Sequence, residues 1–456
     1  MHHEPIVTVG RPAAAHRTGR PVSATRRVEA SPVGQGRSLS MVLNSVTVIG
    51  GKLATMGLGF IFWVIAARTF SQDEVGLASG AVSAMMLCTQ IAILGVGSAL
   101  ITHYPQHASD PRRLFENAFS LTTTASFAVG GATLVIAGLF LNNLSVIAHS
   151  VWFVVFFLAA TVTGTLGILL DQTSIALGRG DQVLMRGLAF GLVSVGVLSA
   201  VAWGSSIDHA IGMFVPWVVA GAVAVAIGGW QLRRALNGYI LRPRVAGPMW
   251  RDLTRVALPN WALTMTERTP GLVFPVIVTE VLSKRDNAVW YTAWMMAWVL
   301  FVVPISVGLT LFADATNNPT KLRRAVRVGL GTALGIGVAG GALIALLAPF
   351  LLQILGKRYA IDGVPVLRIL CISVVPLAFT QAYFAICRSQ RRLREALIIG
   401  AISAVASIVV GGIAAATWGL NGIAIAWTIT QTIIGLVCVE RIISIARVPM
   451  TAGGDA

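Results

Sequence analysis

The sequence predicts an all-α polytopic membrane protein, with twelve transmembrane helices arranged as two parallel six-helix repeats around a central cavity. Three observations predict this fold class: an apolar composition, twelve long apolar runs and an internal duplication. Hydrophobic residues make up 55% of the 456 residues and charged residues only 11%, whereas soluble proteins carry about 25% charged residues. The composition therefore excludes a soluble protein.

The twelve apolar runs each reach the ~20 residues that a helix needs to cross a bilayer. Six runs fall in each half of the chain. They lie at 42–67, 75–102, 117–141, 147–170, 183–206, 210–232, 256–282, 288–313, 326–355, 364–387, 395–417 and 420–439.

The two halves of the chain repeat one another at an offset of about 210 residues. In a membrane protein, such a duplication is typical of a transporter with its binding site between the repeats. The matching features are Gly97 with Gly308, Arg112-Arg113 with Arg323-Arg324, the segment 172–179 with 381–388, and Trp203-Gly204 with Trp418-Gly419.

The net charge of +16 follows from membrane topology. With the N-terminus in the cytoplasm, 20 of the 34 Lys and Arg residues fall in predicted inner loops. Six more are in the N-terminal tail, six are on the outer side and two are within helices. This asymmetry is the positive-inside rule. It predicts a membrane protein with both termini in the cytoplasm, with anionic lipids rather than nucleic acid as partners of the basic surface.

The predicted organisation has five parts. Residues 1–40 are a disordered, basic cytoplasmic tail. Residues 41–235 form the N-terminal six-helix lobe, and residues 236–255, which contain Arg242-Pro243-Arg244, form a cytoplasmic linker. Residues 256–443 form the C-terminal lobe, and residues 444–456 form a cytoplasmic C-terminal tail.

Two cations lie deep in corresponding helices. Lys52 is about 11 residues into the first predicted helix and Arg268 about 12 residues into the seventh. A cation at a helix centre costs roughly 2.5–3.5 kcal/mol on insertion scales, so we expect both to line a hydrated cavity. The alternative is structural pairing of Lys52 with Glu267 and of Arg268 with an acid such as Asp171.

Polar residues accompany these cations. Asn260, Thr264 and Glu267 share one face of the seventh helix, because they are spaced i, i+4 and i+7, and we expect them to line the same cavity. Asp171 is interpreted either as a proton-linked carboxylate or as the partner of a cytoplasmic arginine. Glu267 and Asp171 are the candidates for ion coupling, and Glu280 is interpreted as an ordinary boundary charge.

The sequence contains no motif of an enzyme or a cofactor site. A P-loop, a Ser/His/Asp set and paired catalytic carboxylates are all absent. His103 and His107 have metal-ligand spacing, but Pro105 lies between them, so no metal site is predicted. We therefore expect neither an enzyme nor a bound cofactor.

Five short segments carry a resemblance to a known family. They are ARTFSQDEVGLAS at 67–79, Leu258-Pro259, NAVWYTA at 287–293, VLRIL at 366–370 and WGLNGIAIAW at 418–427. These segments resemble the bacterial polysaccharide flippases, the O-antigen and exopolysaccharide exporters of the multidrug/oligosaccharidyl-lipid/polysaccharide superfamily. The resemblance spans about 41–443, with Asn287-Ala288 in place of the Val-Gly pair usual in that family.

The resemblance implies a flippase of the bacterial plasma membrane that moves a polyprenyl-diphosphate-linked oligosaccharide from the inner to the outer leaflet by alternating access. It also implies that Lys52 and Arg268 hold the diphosphate, and that glycosyltransferases and a polysaccharide polymerase are partners. Two alternatives stay open: a cation-coupled drug exporter of the same superfamily, and a non-transporting scaffold of a polysaccharide assembly complex. The paired cations argue against the exporter, whose substrates are often cationic.

Overall fold

A computed structural model describes residues 54–104, 111–204, 209–236, 249–317 and 322–447. All the regular secondary structure in these residues is helical. In chain order, the helices are α1 Ala54–Thr69, α2 Gln72–Ala92, α3 Val96–His103, α4 Arg112–Phe140, α5 Val146–His149, α6 Val151–Ala176, α7 Gly180–Gly204, α8 His209–Ala235, α9 Met249–Val281, α10 Lys284–Asn317, α11 Leu322–Leu355, α12 Lys357–Ile372, α13 Val374–Ser389 and α14 Leu393–Arg447.

Among the described residues, nine segments are long and apolar enough to cross a membrane, and α12 together with α13 makes one of them. α1 and α9 lie at two further predicted spans, so the arrangement is consistent with the twelve that were predicted. α14 contains two spans, because Gly419 breaks it with φ 64° and ψ −149°. The predicted spans 395–417 and 420–439 therefore follow one another almost without a loop.

The helix boundaries differ from the predicted ones in two places. α9 begins at Met249, inside the predicted linker 236–255. The sequence has neither proline nor glycine from 249 to 258. Because these are the residues that interrupt helices, the helix extends from the predicted span at 256 back to Met249. The predicted second span is interrupted at Leu94 and Gly95, which have φ 46° and 71°, a conformation that suits glycine.

The two repeats begin their second spans with the same local structure. At α2, the Glu74 backbone N–H donates to Ser71 Oγ (3.3 Å), and the Ser71 backbone N–H donates to the Glu74 carboxylate (2.8 Å). At α10, the Asp286 backbone N–H donates to Ser283 Oγ (3.0 Å). Ser71 and Ser283 are 212 residues apart, so the repeat places equivalent N-caps at one end of the bundle.

Apolar packing joins the two repeats to each other and to lipid. The largest core cluster combines residues of α1 and α2 with residues of α9, α10, α12 and α14. Within it, the rings of Trp63 and Tyr291 lie 4.7 Å apart. Large apolar side chains such as Leu139 and Leu346 are 71% and 74% exposed, as expected for a surface in contact with acyl chains. The chain is thus a multi-pass membrane protein.

Candidate functional site

A cavity of about 530 Å³ lies between the two repeats. Its walls come from α1, α2, α6, α7 and α8 of the first repeat and from α9 and α10 of the second. This volume falls within the range of small-molecule sites, roughly 300–1,000 Å³. The central cavity expected from the duplication is therefore present.

The cavity wall is largely apolar and rich in aromatic and methionine side chains. Phe190 and Trp217 from the first repeat face Tyr291 and Trp298 from the second. The Phe190 and Trp217 rings pack edge to face with their centroids 5.7 Å apart. Such a wall accommodates apolar or planar groups, while the fewer polar residues fix the orientation of a ligand.

Arg268 brings a positive charge into this wall. Arg268, Gly271 and Leu272 all line the cavity, because residues at i, i+3 and i+4 share one helix face. The Arg268 side chain is exposed. Among the residues that the structure describes, it has no hydrogen-bond or ion-pair partner. A cation in a mostly apolar cavity that forms no ion pair attracts an anionic ligand.

A second charged group lines the cavity as a neutral pair. Arg186 Nη2 of α7 lies 2.8 Å from Asp171 Oδ1 of α6. The arginine also donates to Ser174 Oγ (3.0 Å) and to the side-chain oxygen of Gln231. Its side chain is only 3% exposed, against 42% for Asp171. The pair therefore adds no net charge, and Arg268 is the uncompensated charge among the described residues of the wall.

Glu267 lies outside the central cavity. Its carboxylate lines a separate cavity of about 40 Å³ inside the second repeat. There it lies 3.3 Å from Arg388 Nη2 and accepts a hydrogen bond from Gln381 Nε2 at 3.2 Å. Adjacent residues on a helix point about 100° apart, so Glu267 and its neighbour Arg268 face different cavities.

The other predicted residues do not gather around Arg268. Asn260 is exposed and Thr264 is half-buried, and the Thr264 hydroxyl donates to the Asn260 carbonyl oxygen at 3.0 Å. Neither lines either cavity. The three residues predicted to share one helix face therefore do not line one cavity. Glu267 lies inside the second lobe, and Asn260 and Thr264 lie away from both cavities. Lys52 lies outside the described residues, although Thr55, on the same predicted helix, lines the central cavity.

The acids and cations also pair differently from the structural-pairing alternative. Asp171 pairs with Arg186 and Glu267 pairs with Arg388. Both arginines are among the 20 Lys and Arg residues assigned to predicted inner loops. The sequence does contain one indication that Arg186 is not a loop residue, because it lies inside the predicted span 183–206. Arg388 ends the repeated segment 381–388, but its counterpart Arg179 forms an exposed pair with Asp181.

No metal centre is formed by the residues described here, since they contain no group of three or more His, Cys, Asp or Glu side chains placed to hold an ion. His107 and the side chain of His103 lie outside these residues. The free cysteines Cys88, Cys371, Cys387 and Cys438 are all buried.

Known proteins share the fold of this chain, and one family profile matches part of its sequence. The MatE family profile matches residues 270–413. No curated protein matches the chain significantly.

Among solved structures, a multidrug resistance MATE family transporter of the MOP superfamily in an inward-facing conformation is similar, with a TM-score of 0.64 and 16% identity over 87% of this chain and 96% of that one. The lipid II flippase MurJ is similar too, with a TM-score of 0.66 and 13% identity over 88% and 87%. The Vibrio cholerae MATE transporter VcmN gives a TM-score of 0.60 and 13% identity over 91% and 98%.

By their names, these proteins are transporters and a lipid flippase, and none is an enzyme. The identities are low, so the likeness establishes the fold and leaves the substrate open. The chain therefore has the transporter fold shared by the MATE proteins and MurJ, with a MatE match in its second repeat.

Proposed function

We propose that this protein is a flippase that moves a polyprenyl-diphosphate-linked oligosaccharide from the inner to the outer leaflet by alternating access. The observation that carries the proposal is the unpartnered Arg268 in the wall of the central cavity. The other charges described in that wall, Asp171 and Arg186, neutralise each other. A diphosphate supplies the negative charge and acceptor oxygens that a guanidinium binds best.

The rest of the cavity suits the head group of such a lipid. Apolar and aromatic surfaces such as Trp217 and Trp298 pack against the non-polar faces of sugar rings and the first carbons of the prenyl chain. The remainder of the chain stays in the bilayer while the head group crosses. Lys52, whose predicted position matches that of Arg268 in the other repeat, is proposed as a second phosphate contact.

The orientation and partners belong to the same proposal. Both termini are cytoplasmic, the lobes 41–235 and 256–443 move about the segment that joins them, and the basic inner loops contact anionic lipid. Glycosyltransferases and a polysaccharide polymerase supply and consume the lipid-linked sugar. If Asp171 or Glu267 couples transport to an ion, its pair with Arg186 or Arg388 must open, since both acids are ion-paired here.

A drug exporter is the second candidate, and the aromatic wall favours it. Trp217, Tyr291 and Trp298 line the cavity, and aromatic faces attract organic cations. Arg268 opposes this function because it repels a cation in the same space. The two candidates therefore predict opposite effects of removing this charge.

Reconstituted vesicles separate the two functions. A fluorescent polyprenyl-diphosphate sugar measures flipping, as the fraction of label that a membrane-impermeant quencher reaches. Ethidium measures cation export in the same vesicles. Flipping that is lost in Arg268→Gln, without ethidium transport in either protein, supports the flippase. Ethidium transport that persists or rises in Arg268→Gln, with no lipid flipping by the parent protein, overturns it in favour of the exporter. A correctly inserted protein that transports neither probe supports the scaffold alternative.

A further inference from the structure

In the part of the chain that the structure describes, one end of the bundle carries a group of polar contacts between the two repeats. This end carries the N-termini of α2 and α10 and the C-terminus of α9, and the distribution of arginines predicts that it faces outward. Within the described residues, the hydrogen bonds between the repeats lie at this end, except for the one from Trp261 Nε1 to the Gln90 carbonyl oxygen (2.9 Å).

The centre of this contact is a close approach of α2 and α10. Gly76 lies directly against the Lys284 carbonyl group. Asn287 Nδ2 donates to the Gly76 carbonyl oxygen (2.8 Å) and to Ser79 Oγ (3.1 Å). Gly76 and Asn287 are 211 residues apart, close to the repeat offset. Equivalent segments of the two halves therefore touch each other, as expected at an approximate two-fold axis.

Glu280 forms the second part of the contact. Its carboxylate accepts three backbone N–H groups from the other repeat: Asn142 at 2.7 Å, Asn143 at 3.1 Å and Leu144 at 2.7 Å. Asn143 Nδ2 also donates to the Thr279 carbonyl oxygen at 2.8 Å. Glu280 is therefore not the ordinary boundary charge that the sequence suggested. Each of its bonds from a backbone N–H to the carboxylate is charge-assisted and joins the two lobes.

We propose that Glu280 and the turn 142–144 form an outer latch, which must release before the central cavity opens toward the predicted outer side. Separation of the lobes at this end would break all three bonds to the carboxylate together. The latch therefore favours the conformation closed at this end, and its loss shifts the population toward the outward-open one. This inference rests on the alternating-access part of the proposed function and not on the identity of the substrate.

Cysteine labelling tests the latch. Leu272→Cys places a reporter in the cavity wall. The four native cysteines are buried, so the parent protein without the reporter gives the background labelling. A membrane-impermeant maleimide is added to the outer side of intact cells. We expect Glu280→Ala to raise the labelling rate of the reporter about tenfold, which corresponds to about 1.4 kcal/mol, and Glu280→Gln to raise it less.

Glu395→Ala is the matched control. Glu395 also accepts several hydrogen bonds, but from Arg392 and Tyr383 of its own lobe. We expect this variant to label like the reporter protein with Glu280 intact. Equal labelling of the Glu280→Ala and Glu395→Ala proteins, both eluting as folded monodisperse species in detergent, would overturn the proposal.

Asn143→Ala gives a second readout if Glu280→Ala fails to fold. This change removes the bond from Asn143 Nδ2 to the Thr279 carbonyl oxygen and leaves the Glu280 carboxylate in place. It should also raise the labelling rate of Leu272→Cys, by less than Glu280→Ala does. Labelling at the parent rate in a folded Asn143→Ala protein refutes the latch. A raised labelling rate without any flipping of the lipid probe by the parent protein retains the latch and rejects the substrate.

Discussion

Glu267 and Arg268 are neighbours in sequence, yet their side chains enter different cavities. Arg268 lines the central cavity between the repeats, whereas Glu267 lies inside the second repeat and pairs with Arg388. This separation keeps the acid from neutralising the arginine by direct contact. It also gives the two residues different functions, which substitution can distinguish.

Arg268 is expected to govern transport rather than folding. Arg268→Gln should lower the flipping rate of the polyprenyl-diphosphate probe roughly tenfold to a hundredfold, since a hydrogen bond to a charged group contributes about 1.5–3 kcal/mol. Arg268→Lys should retain more activity, because it keeps the charge and loses the bidentate geometry. Flipping by reconstituted protein measures both.

Arg368→Gln is the matched control for this substitution. Arg368 is an arginine of the same repeat that donates to the Ala345 carbonyl oxygen and lines neither cavity. Its removal should leave the flipping rate within twofold of the parent, by analogy with other surface substitutions. An equal loss of flipping in both variants would contradict a specific role for Arg268.

The pair of Glu267 and Arg388 is expected to stabilise the second repeat. The side chains are 16% and 14% exposed, so removing one partner leaves the other charge poorly solvated. Glu267→Gln and Arg388→Gln should each destabilise the protein by about 1–3 kcal/mol. The double variant should lose less than the sum, which a double-mutant cycle from thermal unfolding in detergent measures. Additive losses would show that the two groups do not interact.

Gly76 is expected to be intolerant of any side chain. A Cβ at this position would overlap the Lys284 carbonyl oxygen, so the two helices must move apart. Gly76→Ala should destabilise the protein by about 1–3 kcal/mol or more. Gly131→Ala is the control, because a Cβ at Gly131 meets nothing within 4 Å and alanine favours a helix by about 1 kcal/mol. The melting temperatures of the two variants should move in opposite directions.

Membrane orientation can be tested at two equivalent tryptophans. Trp203 and Trp418 are 92% and 74% exposed. They occupy equivalent positions in the two repeats, at the predicted outer ends of their helices. A membrane-impermeant maleimide added to intact cells should label Trp203→Cys and Trp418→Cys and spare Arg233→Cys, which is predicted to face the cytoplasm. The reverse pattern of labelling would invert the topology.

Two equivalent contacts between a glycine and a glutamine explain why the repeat is visible in the sequence. An added Cβ at Gly97 would lie 2.5 Å from Gln172 Cγ, and one at Gly308 would lie 3.2 Å from the Gln381 carbonyl oxygen. The matching residues in sequence are thus close-packed contacts that each repeat preserves. Arg186 and Arg388 could not be placed in the same way, because sorting charges by predicted loop ignores which helix face an arginine occupies.

By itself, the sequence determined what depends on local composition and period: the membrane class, the twelve predicted spans, the duplication and the position of Arg268 within a span. These follow because a helix that crosses a bilayer needs about 20 consecutive, mostly apolar residues, which the sequence shows directly. Only the tertiary structure decided which helix faces meet. It placed Glu267 in the lobe interior, Arg268 in the wall of the central cavity, and the Glu280 carboxylate against the turn 142–144 of the other repeat. A helix rotates by about 100° per residue, so a side chain's partners depend on the neighbouring helices, which no single segment specifies.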